Sequence, residues 1–401
     1  MAAPADRPVL QPATLEDVQA HVQAALAAGE PLEVLGGGSK RAYGRPVQAP
    51  RTLSLAGLRG IVDYQPHELI LVARAGTPLT EVEAALAEAG QALAFEPPHW
   101  GATATLGGVL ACNLAGPRRF KAGAARDHLL GFQAVTGTGD VVRGGGRVVK
   151  NVTGFDLPKL MCGSFGTLAV LTEVVVKVLP RPETERTVLL AGLSDADGSA
   201  RLIAAARSQL EPSGLAHLPA AVRAPVQAPA VAGLAPGTAL TALRVEGPEP
   251  SVRQRAERLS QGGAAAVLEA EASRAFWAAL RELEPLAPAP AERVWRFSLA
   301  PQSGPALGRR LAELAGVRWY YDWGGALVWA AAPARHKPKA LHALARDHGG
   351  HAQLVRQGPD CPREEPAFSE LTPGQHRLNE NLKRAFDPRR ILNPGRMYAD
   401  L

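Results

Sequence analysis

The stretch that decides the fold is LEVLGGGS at residues 32–39, where a short apolar segment runs directly into three glycines and a serine. Leu32–Leu35 has the composition of a buried strand. Glycine lacks a Cβ, so the chain can turn with positive φ after the strand, and successive N–H groups can form a nest for an anion. A pyrophosphate fits such a nest, with the Ser39 hydroxyl as a further donor. A plain glycine turn is the alternative interpretation.

Other nucleotide-binding loops do not match this stretch. It lacks the G-x-G-x-x-G spacing and the helix start of a Rossmann fingerprint, and the chain contains no GxxxxGK[ST] loop. A second segment of small residues follows Pro97-Pro98, namely TLGGVLACNLAG at 105–116. Its paired glycines can admit another stretch of ligand against the backbone.

Three more segments continue the pattern. GTGD at 137–140 predicts a hairpin turn, and a glycine turn is expected between Val141–Val142 and Val148–Val149. VKNVTGFDL at 149–157 and GSFGTL at 163–168 come next. We expect Asp156 to cap the following helix, which we favour over a catalytic role.

Capping residues and periodicity predict the regular elements of the first 180 residues. Thr14 is the expected N-cap of a helix over Thr14–Ala28. A strand at Glu68–Ala75 and a helix at Pro78–Ala89 follow, and Leu168–Leu179 reads as a β-branched strand.

From about Thr187 to Val355 candidate strands alternate with Ala-rich helices, which predicts an α/β sandwich of ferredoxin-like type. No internal repeat is evident. The candidate strands are Thr187–Leu190, Ala239–Val245, Ala291–Leu299, Arg318–Trp323 and Ala326–Ala332. The candidate helices are Ser199–Gln209, Ser251–Gln261, Pro305–Ala315 and the later Gln375–Phe386.

Composition excludes several classes of protein. The net charge is +6, yet no basic run interleaved with aromatic residues occurs, so nucleic-acid binding is set aside. The three cysteines, Cys112, Cys162 and Cys361, have no CxxC spacing, which argues against a disulfide framework, a zinc site or an iron–sulfur cluster. We also expect no cleaved signal and no transmembrane segment, and hence a cytoplasmic protein.

Two clusters in the second half have competing interpretations. His336, His342, His348 and His351 could suggest a metal site, but their spacing does not share one helix face, so we expect solvated histidines at helix ends and no metal. The aromatic cluster contains Trp319, Tyr320, Tyr321, Trp323 and Trp329. A packed sheet face is the first interpretation. The second is an exposed contact surface, either for docking of a partner or for the ring of a bound cofactor.

In their order and spacing, the glycine-rich segments resemble the flavin domain of the vanillyl-alcohol oxidase family, also called the PCMH-type FAD-binding family. The resemblance covers about residues 10–182 and the closing Asp387–Arg396. It implies an α+β fold in which residues 1–182 form an FAD-binding domain of two α/β subdomains. Residues 183–356 would form a ferredoxin-like α/β cap, and 357–401 would return to the FAD domain.

The resemblance also implies the cofactor and its contacts. FAD would be bound without a covalent bond, because Ser39-Lys40 stands where covalent members carry histidine, and Cys112 is expected to be a small buried packing residue. The implied FAD contacts are Gly36, Gly37, Gly38, Ser39, Pro97, Thr105, Leu106, Gly107, Gly108, Asn113, Gly163, Thr167, Val170 and Asn393.

Within the family the chain resembles the FAD-binding E subunits of bacterial glycolate oxidases. The similarity is carried by VKNVTGFDL, by LPRP at 179–182 and by NPGRMY at 393–398. It implies oxidation of glycolate, a small 2-hydroxy acid, to glyoxylate. It also implies a partner D subunit that binds FAD, an iron–sulfur F subunit that receives electrons, and peripheral association with the inner membrane through these partners.

Two departures from the wider family leave other functions open. Phe165 replaces the usual glutamate of GSEGTLG, and the HxGDGNxH run of D-lactate-type dehydrogenases is absent, so no catalytic base can be named. A stand-alone D-2-hydroxy-acid dehydrogenase and a non-catalytic scaffold subunit are the alternatives. Turnover by the isolated chain would favour the first, and a colourless chain without affinity for FAD would favour the second.

Overall fold

The structure is a computed structural model that describes residues 7–147, 154–222, 235, 237–261, 263–362 and 366–401. Val148–Val149, the far flank of the expected glycine turn, therefore lies outside the described residues. The chain divides into two compact units. The first comprises Met1–Ala115, Gly123–Arg181 and Glu370–Leu401, and the second comprises Gly116–Ala122 and Pro182–Ser369.

The elements up to residue 181 form the greater part of the first unit. The strands are β1 (Val9–Leu10), β2 (Leu32–Leu35), β3 (Arg51–Ser54), β4 (Ile61–Gln65), β5 (Ile70–Arg74), β6 (Gln91–Ala92), β7 (Leu129–Thr136), β8 (Val141–Gly145), β9 (Ala169–Lys177) and β10 (Leu179–Pro180). The helices are α1 (Leu15–Ala28), α2 (Leu79–Glu88), α3 (Leu106–Ala111), α4 (Arg119–Ala122), α5 (Ala125–His128) and α6 (Leu157–Met161). Of these, α4 belongs to the second unit.

Two principal sheets organise the first unit. A parallel sheet has the order β1-β3-β2, and an antiparallel sheet has the order β4-β5-β9-β7-β8. The predicted hairpin is confirmed, because β7 and β8 pair from Val135↔Val141 across the GTGD turn. The glycine loop begins at Gly36, directly after the last residue of β2.

Local capping explains where the helices of this unit begin and end. The Thr14 side chain accepts a hydrogen bond from the Asp17 amide, the Asp17 carboxylate accepts one from the Thr14 amide, and Gly29 ends α1 with φ 66°. Asp156 caps α6 by accepting from the Lys159 amide. Both predicted caps are confirmed.

The second unit is built on one eight-stranded antiparallel sheet. Its strands are β11 (Thr184–Ala191), β12 (Gly214–Leu218), β13 (Leu240–Gly247), β14 (Ala266–Glu269), β15 (Glu292–Ser298), β16 (Arg318–Asp322), β17 (Leu327–Pro333) and β18 (His351–Gln357). Its further helices are α7 (Asp195–Ala206), α8 (Glu249–Ser260), α9 (Ala270–Arg281), α10 (Gly304–Ala312) and α11 (Pro338–Asp347). The chain then returns to the first unit with α12 (Pro373–Phe386).

This sheet contains two ferredoxin-like repeats. The strand order β14-β11-β13-β12-β16-β17-β15-β18 places β11-α7-β12-β13-α8-β14 and β15-α10-β16-β17-α11-β18 edge to edge. They meet where β12 and β16 pair through His217↔Tyr321. The ferredoxin-like prediction is confirmed in type. The repetition is one of topology, which needs no shared residues, so it leaves no internal repeat in the sequence.

The predicted elements of the second unit differ from the observed ones mainly at their boundaries. The helix predicted at Ser199–Gln209 starts at Asp195, because Ser194 accepts from the Asp197 amide as N-cap. The strands β12, β14 and β18 and the helices α9 and α11 were not predicted. In α9 the residues Phe276, Trp277 and Leu280 are buried, so its amphipathic period could have revealed it.

The aromatic cluster is part of the core of the second unit. Trp319, Tyr320, Tyr321, Trp323 and Trp329 are all at most 8% exposed. The hypothesis of an exposed docking surface at Trp319–Trp323 is therefore wrong, and the packed sheet face is confirmed. Among the described residues, no helix combines the length and apolarity that crossing a bilayer requires.

Candidate cofactor site

A cavity opens in the first unit at the end of β2, and its empty space, counted together with the solvent at its mouth, is about 700 Å³. Its wall contains the glycine loop, the start of α3, the segment around Phe165–Gly166 and two residues of the closing NPGR sequence. The sequence-predicted residues in the wall are Gly36, Gly37, Gly38, Ser39, Thr105, Gly107, Gly108 and Asn393. Tertiary structure thus gathers four separate segments around one space.

The three positions of the loop require glycine for two different physical reasons. A Cβ at Gly37 would lie 1.7 Å from the Thr103 carbonyl oxygen, and one at Gly36 would lie 2.2 Å from Thr105 Oγ1. Gly38 has φ 82° and open space around its Cα. The first two positions therefore allow close packing of the loop against residues 103–105, and the third provides a left-handed backbone.

The start of α3 is fixed by an N-cap hydrogen bond and by close packing against Ala75. Thr105 is its N-cap and accepts from the Gly108 amide at 3.3 Å. The Gly107 amide donates to the Ala75 carbonyl at 2.8 Å, and a Cβ there would lie 2.6 Å from Ala75 Cβ. Glycine at 107 thus brings α3 against Ala75, the residue that follows β5, with Thr105 and Gly108 on the cavity.

Cationic side chains in the wall favour an anionic guest. Arg396 is 5% exposed and donates to the carbonyl oxygens of Lys40 at 3.0 Å and Arg45 at 3.5 Å. Burial lowers the pKa of Arg396, yet a guanidinium stays protonated at neutral pH. Lys40, which also lines the cavity, donates to Ser39 Oγ and to the His99 carbonyl. Arg396 belongs to the NPGRMY segment, but its buried position beside Lys40 could not be predicted from that motif.

Other charges near the loop are already paired. Glu33, 3% exposed, forms ion pairs with Arg7 and Arg41 and accepts from Thr52 Oγ1.

Cys112 lies on the cavity wall, and burial raises its pKa to about 11, so the thiol is protonated and a poor nucleophile.

Asn393 fixes the closing segment against this site. Its side-chain Oδ1 accepts from the Val34 amide at 2.7 Å, and its Nδ2 donates to the carbonyls of Val34 at 3.1 Å and Phe165 at 2.8 Å. Asn393 also has φ 43°, a left-handed value that asparagine tolerates better than most residues. Asn393 therefore reaches the cavity with its side-chain amide held by three hydrogen bonds to the backbone.

The remaining sequence-predicted residues do not line this cavity. Leu106 and Val170 are 0% exposed, and Pro97 is buried. The Asn113 side chain accepts from the Arg126 amide at 3.2 Å. Gly163 and Thr167 line a separate depression together with Lys383 and Tyr398.

The histidine-rich stretch forms no candidate metal site. Among the residues that the structure describes, no group of His, Cys, Asp and Glu side chains could hold a metal ion. His342 is only 7% exposed, and its ring contacts Ser369 Oγ and the Pro366 carbonyl oxygen, so the expectation of a solvated helix-end histidine is wrong for this residue.

The wall suits FAD by its chemistry. A glycine loop with a left-handed residue, a buried guanidinium and a buried ammonium complement a diphosphate, and the apolar residues Leu55, Ala111 and Leu171 complement a ring system.

Comparisons with known proteins agree with this fit. Residues 7–145 match the family described as FAD binding domain. The chain is 40% identical over 384 residues to the glycolate oxidase subunit GlcE of Escherichia coli (strain K12), which covers 95% of this chain and 96% of the relative. It is 26% identical over 425 residues to the glycolate oxidase subunit GlcD of Bacillus subtilis (strain 168), covering 92% and 84%.

A solved structure shows the same fold. p-Cresol methylhydroxylase with substrate bound matches with a TM-score of 0.73 at 17% sequence identity, over 98% of this chain and 88% of that chain. The α+β class and the flavin-domain architecture predicted from the sequence are thereby confirmed.

Proposed function

Because the chain belongs to the family of the glycolate oxidase subunit GlcE, whose members are FAD-dependent oxidoreductases, we propose that it is the FAD-binding E subunit of a glycolate-oxidising complex. The observation that carries this proposal is the 40% identity over 95% of the chain. The substrate class would be a small 2-hydroxy acid, and the reaction would convert the CH–OH carbon of glycolate to the aldehyde of glyoxylate.

The chain's own contribution is to bind and orient the cofactor. When bound, FAD supplies the acceptor for the two electrons that leave the CH–OH carbon. Gly36, Gly37, Gly38 and Ser39 would hold the diphosphate by backbone and hydroxyl donors, and Lys40 and Arg396 would neutralise its charge.

The other cavity residues would shape the rest of the site. Thr105, Gly107, Gly108 and Asn393 line the same space, which supports their assignment as cofactor contacts. For Pro97, Leu106, Asn113, Gly163, Thr167 and Val170 the assignment rests on the family resemblance alone. FAD would be held without a covalent bond, since Cys112 is protonated and Lys40 replaces the histidine of covalent members.

The complex would contain a related FAD-binding D subunit and an iron–sulfur F subunit that takes the electrons. Support comes from the similarity to the subunit GlcD of Bacillus subtilis and from the cavity wall, among whose described residues there is no histidine, aspartate or glutamate to act as a general base. Partners would also provide any association with the inner membrane.

The test compares the purified chain with the same chain mixed with its D and F partners. We expect the chain alone to show a flavin spectrum but little reduction of an artificial dye by glycolate, and the mixture to reduce the dye rapidly. Strong turnover by the chain alone, unchanged by partners, would identify a stand-alone dehydrogenase. A colourless chain that takes up no FAD would identify a scaffold.

A further inference from the structure

The last helix of the first unit lies almost entirely on the surface. α12 has 14 residues, and Lys383 is the one buried residue among them. Leu378 is 60% exposed, and Leu382 and Phe386 are half-buried. A surface helix of a globular protein ordinarily turns its apolar stripe to the core. On α12, part of that stripe is left uncovered by the described part of the chain.

A depression lies beside this helix, and its lining belongs to the first unit alone. α12 contributes Asn379, Leu382 and Lys383 to it. The other lining residues are Leu160, Cys162, Gly163, Ser164, Thr167, Leu168, Met397, Tyr398 and Leu401. The depression is therefore lined largely by apolar side chains.

The one ammonium group in the lining is already satisfied. Lys383 Nζ donates to Asp387 and to the carbonyl oxygens of Thr167 and Leu392, which uses its three donors. The loop at residues 163–168 also separates this space from the cofactor cavity, since its Phe165 and Gly166 line that cavity instead. The depression consequently suits an apolar side chain better than an anionic ligand.

The two most exposed large apolar side chains of the described residues belong to segments that form this lining. Leu378 directly precedes Asn379 on α12. Phe155 is 92% exposed and comes just before α6, which contributes Leu160 to the lining. Exposed apolar groups concentrated in this way are typical of protein–protein interfaces, whose cores are enriched in aromatic residues.

A basic row accompanies the apolar row on α12. Leu378 and Leu382 are four residues apart and share one side of the helix, and Arg377 and Arg384 follow the neighbouring side seven residues apart. Within the described ranges Arg377 forms no hydrogen bond or ion pair, and Arg384 donates to the neutral Asn381 Oδ1 and to no carboxylate. Two uncompensated guanidinium groups beside an apolar row favour a partner that brings carboxylates.

We propose that α12, the depression and Phe155 form a docking surface for a partner subunit of the glycolate-oxidising complex. This inference rests on the proposed function, which supplies the partner. The partner segment would carry an apolar side chain that fills the depression, next to aspartate or glutamate residues that face Arg377 and Arg384.

Two other occupants fit these observations less well. In a symmetric dimer the same patch serves both copies, so a second copy of this chain would bring Arg377 and Arg384 towards their own counterparts, and like charges repel. A membrane surface supplies anionic headgroups, but the apolar face of an interfacial helix lies flat on it and leaves a concave depression unfilled.

The test titrates the purified FAD-loaded chain with the D and F partner subunits, one at a time, by calorimetry. Leu378→Glu introduces a carboxylate into the apolar row at a side chain that is already 60% exposed, so FAD content and urea unfolding should not change. We expect the Kd for one of the partners to rise at least tenfold, because the core of an interface excludes charge.

Charge reversal tests the basic row separately. The double variant Arg377→Glu and Arg384→Glu should weaken the same binding about tenfold at low salt and reduce its dependence on salt concentration. Two matched controls should keep the wild-type Kd. Val62→Glu alters a valine of β4 that is 49% exposed, and Arg253→Glu reverses an exposed charge on α8.

The docking surface and the proposed function fail in different ways. Wild-type affinity in the folded Leu378 and double-arginine variants would overturn the surface and leave the function standing. Assembly that depends on Leu378 in a complex that does not oxidise glycolate would do the reverse. A wild-type chain that binds neither partner would overturn both.

Vesicles of phosphatidylglycerol and phosphatidylethanolamine, and sedimentation of the chain alone, test the other two occupants. Vesicle binding that Leu378→Glu abolishes, with partner binding unchanged, would assign the surface to a membrane and overturn the proposal. A concentration-dependent dimer that the same variant dissociates, again with partner binding unchanged, would assign it to a second copy. We expect neither.

Discussion

The side-chain amide of Asn393 pairs with both backbone groups of Val34, a residue 359 positions earlier in the chain. Because the amide faces one N–H and two carbonyls, its orientation is determined by its partners. The contact ties the closing NPGR segment to the end of β2, where the glycine loop begins. Cofactor site and chain terminus are therefore one structural unit.

This contact predicts the effect of changes at Asn393. In Asn393→Asp a carboxylate would face the carbonyls of Val34 and Phe165, and the residue is only 3% exposed. We expect a loss of about 2–4 kcal/mol in the free energy of unfolding, from unmet hydrogen bonds and a buried charge. Asn393→Gly keeps the left-handed backbone and should lose less. Urea unfolding measures both, and equal stabilities for Asp and wild type would contradict the prediction.

The glycine loop predicts loss of cofactor without loss of the fold. In Gly37→Ala the new Cβ would lie 1.7 Å from the Thr103 carbonyl, so the loop must move away from the start of α3. We expect FAD occupancy of the purified chain to fall at least tenfold, measured by its visible spectrum. Gly374→Ala is the control, because no atom lies within 4 Å of the added Cβ. Full occupancy in a folded Gly37→Ala chain would refute the role of the loop.

A buried ion pair predicts a large loss of stability. Lys383 donates to Asp387 and to the carbonyls of Thr167 and Leu392, and both charged side chains are at most 4% exposed. Lys383→Met leaves a buried carboxylate uncompensated, which should cost about 3–5 kcal/mol in denaturant unfolding. Lys159→Met breaks the half-exposed pair with Asp156 and should cost less than about 1 kcal/mol. Similar costs for both variants would show that burial does not govern the Lys383 pair.

The junction of the two ferredoxin-like repeats predicts a pH dependence. Asp195 of the first repeat accepts from the Tyr321 hydroxyl of the second at 2.6 Å and contacts His217 Nε2 at 3.4 Å. Burial would raise the pKa of Asp195, but the hydrogen bonds from His217 and Tyr321 outweigh it, and the pKa lies below the ordinary 3.8. The ionised carboxylate therefore stabilises the fold above pH 3.8, and this contribution disappears as the pH falls through the lowered folded value.

Asp195→Asn tests this linkage. At pH 6 we expect the variant to be about 1.5–3 kcal/mol less stable than wild type, the usual range for hydrogen bonds to a charged group. The difference should shrink below pH 3.8 as the wild-type carboxylate is protonated. Urea unfolding of both chains at pH 6 and pH 3 supplies the comparison, and a constant difference would rule out the ionised form as the stabilising species.

Non-covalent attachment predicts that all flavin leaves the denatured chain. Burial raises the pKa of Cys112 to about 11, so its thiol is a poor nucleophile in the folded site. Acid precipitation of the yellow chain should release the whole absorbance to the supernatant, for wild type and for Cys112→Ala alike. Colour retained in the wild-type pellet and absent from the Cys112→Ala pellet would demonstrate a thioether bond.

Features that depend on neighbours in sequence were predictable. The N-caps at Thr14 and Asp156 are confirmed, because a cap is a hydrogen bond to an amide three residues away. The glycine loop after β2 was recognisable for a similar reason, since a left-handed φ such as that of Gly38 is a local requirement. Helix caps and glycine turns can therefore be predicted from residue types that lie within a few positions of each other in the sequence.

Relationships across long sequence separations were decided only by the tertiary structure. Nothing in the sequence places Arg296 and Arg119 against the indole of Trp323, or Arg396 beside Lys40, because side chains distant in the chain meet only after the sheets have formed. The second ferredoxin-like repeat could not be predicted from the sequence for a related reason. A fold topology requires a pattern of buried residues and strand pairing, and it does not require particular residues. The sequence by itself thus determined the flavin-domain class and its glycine loop. The charges that converge on the cofactor cavity and on the indole depended on packing between elements far apart in the chain.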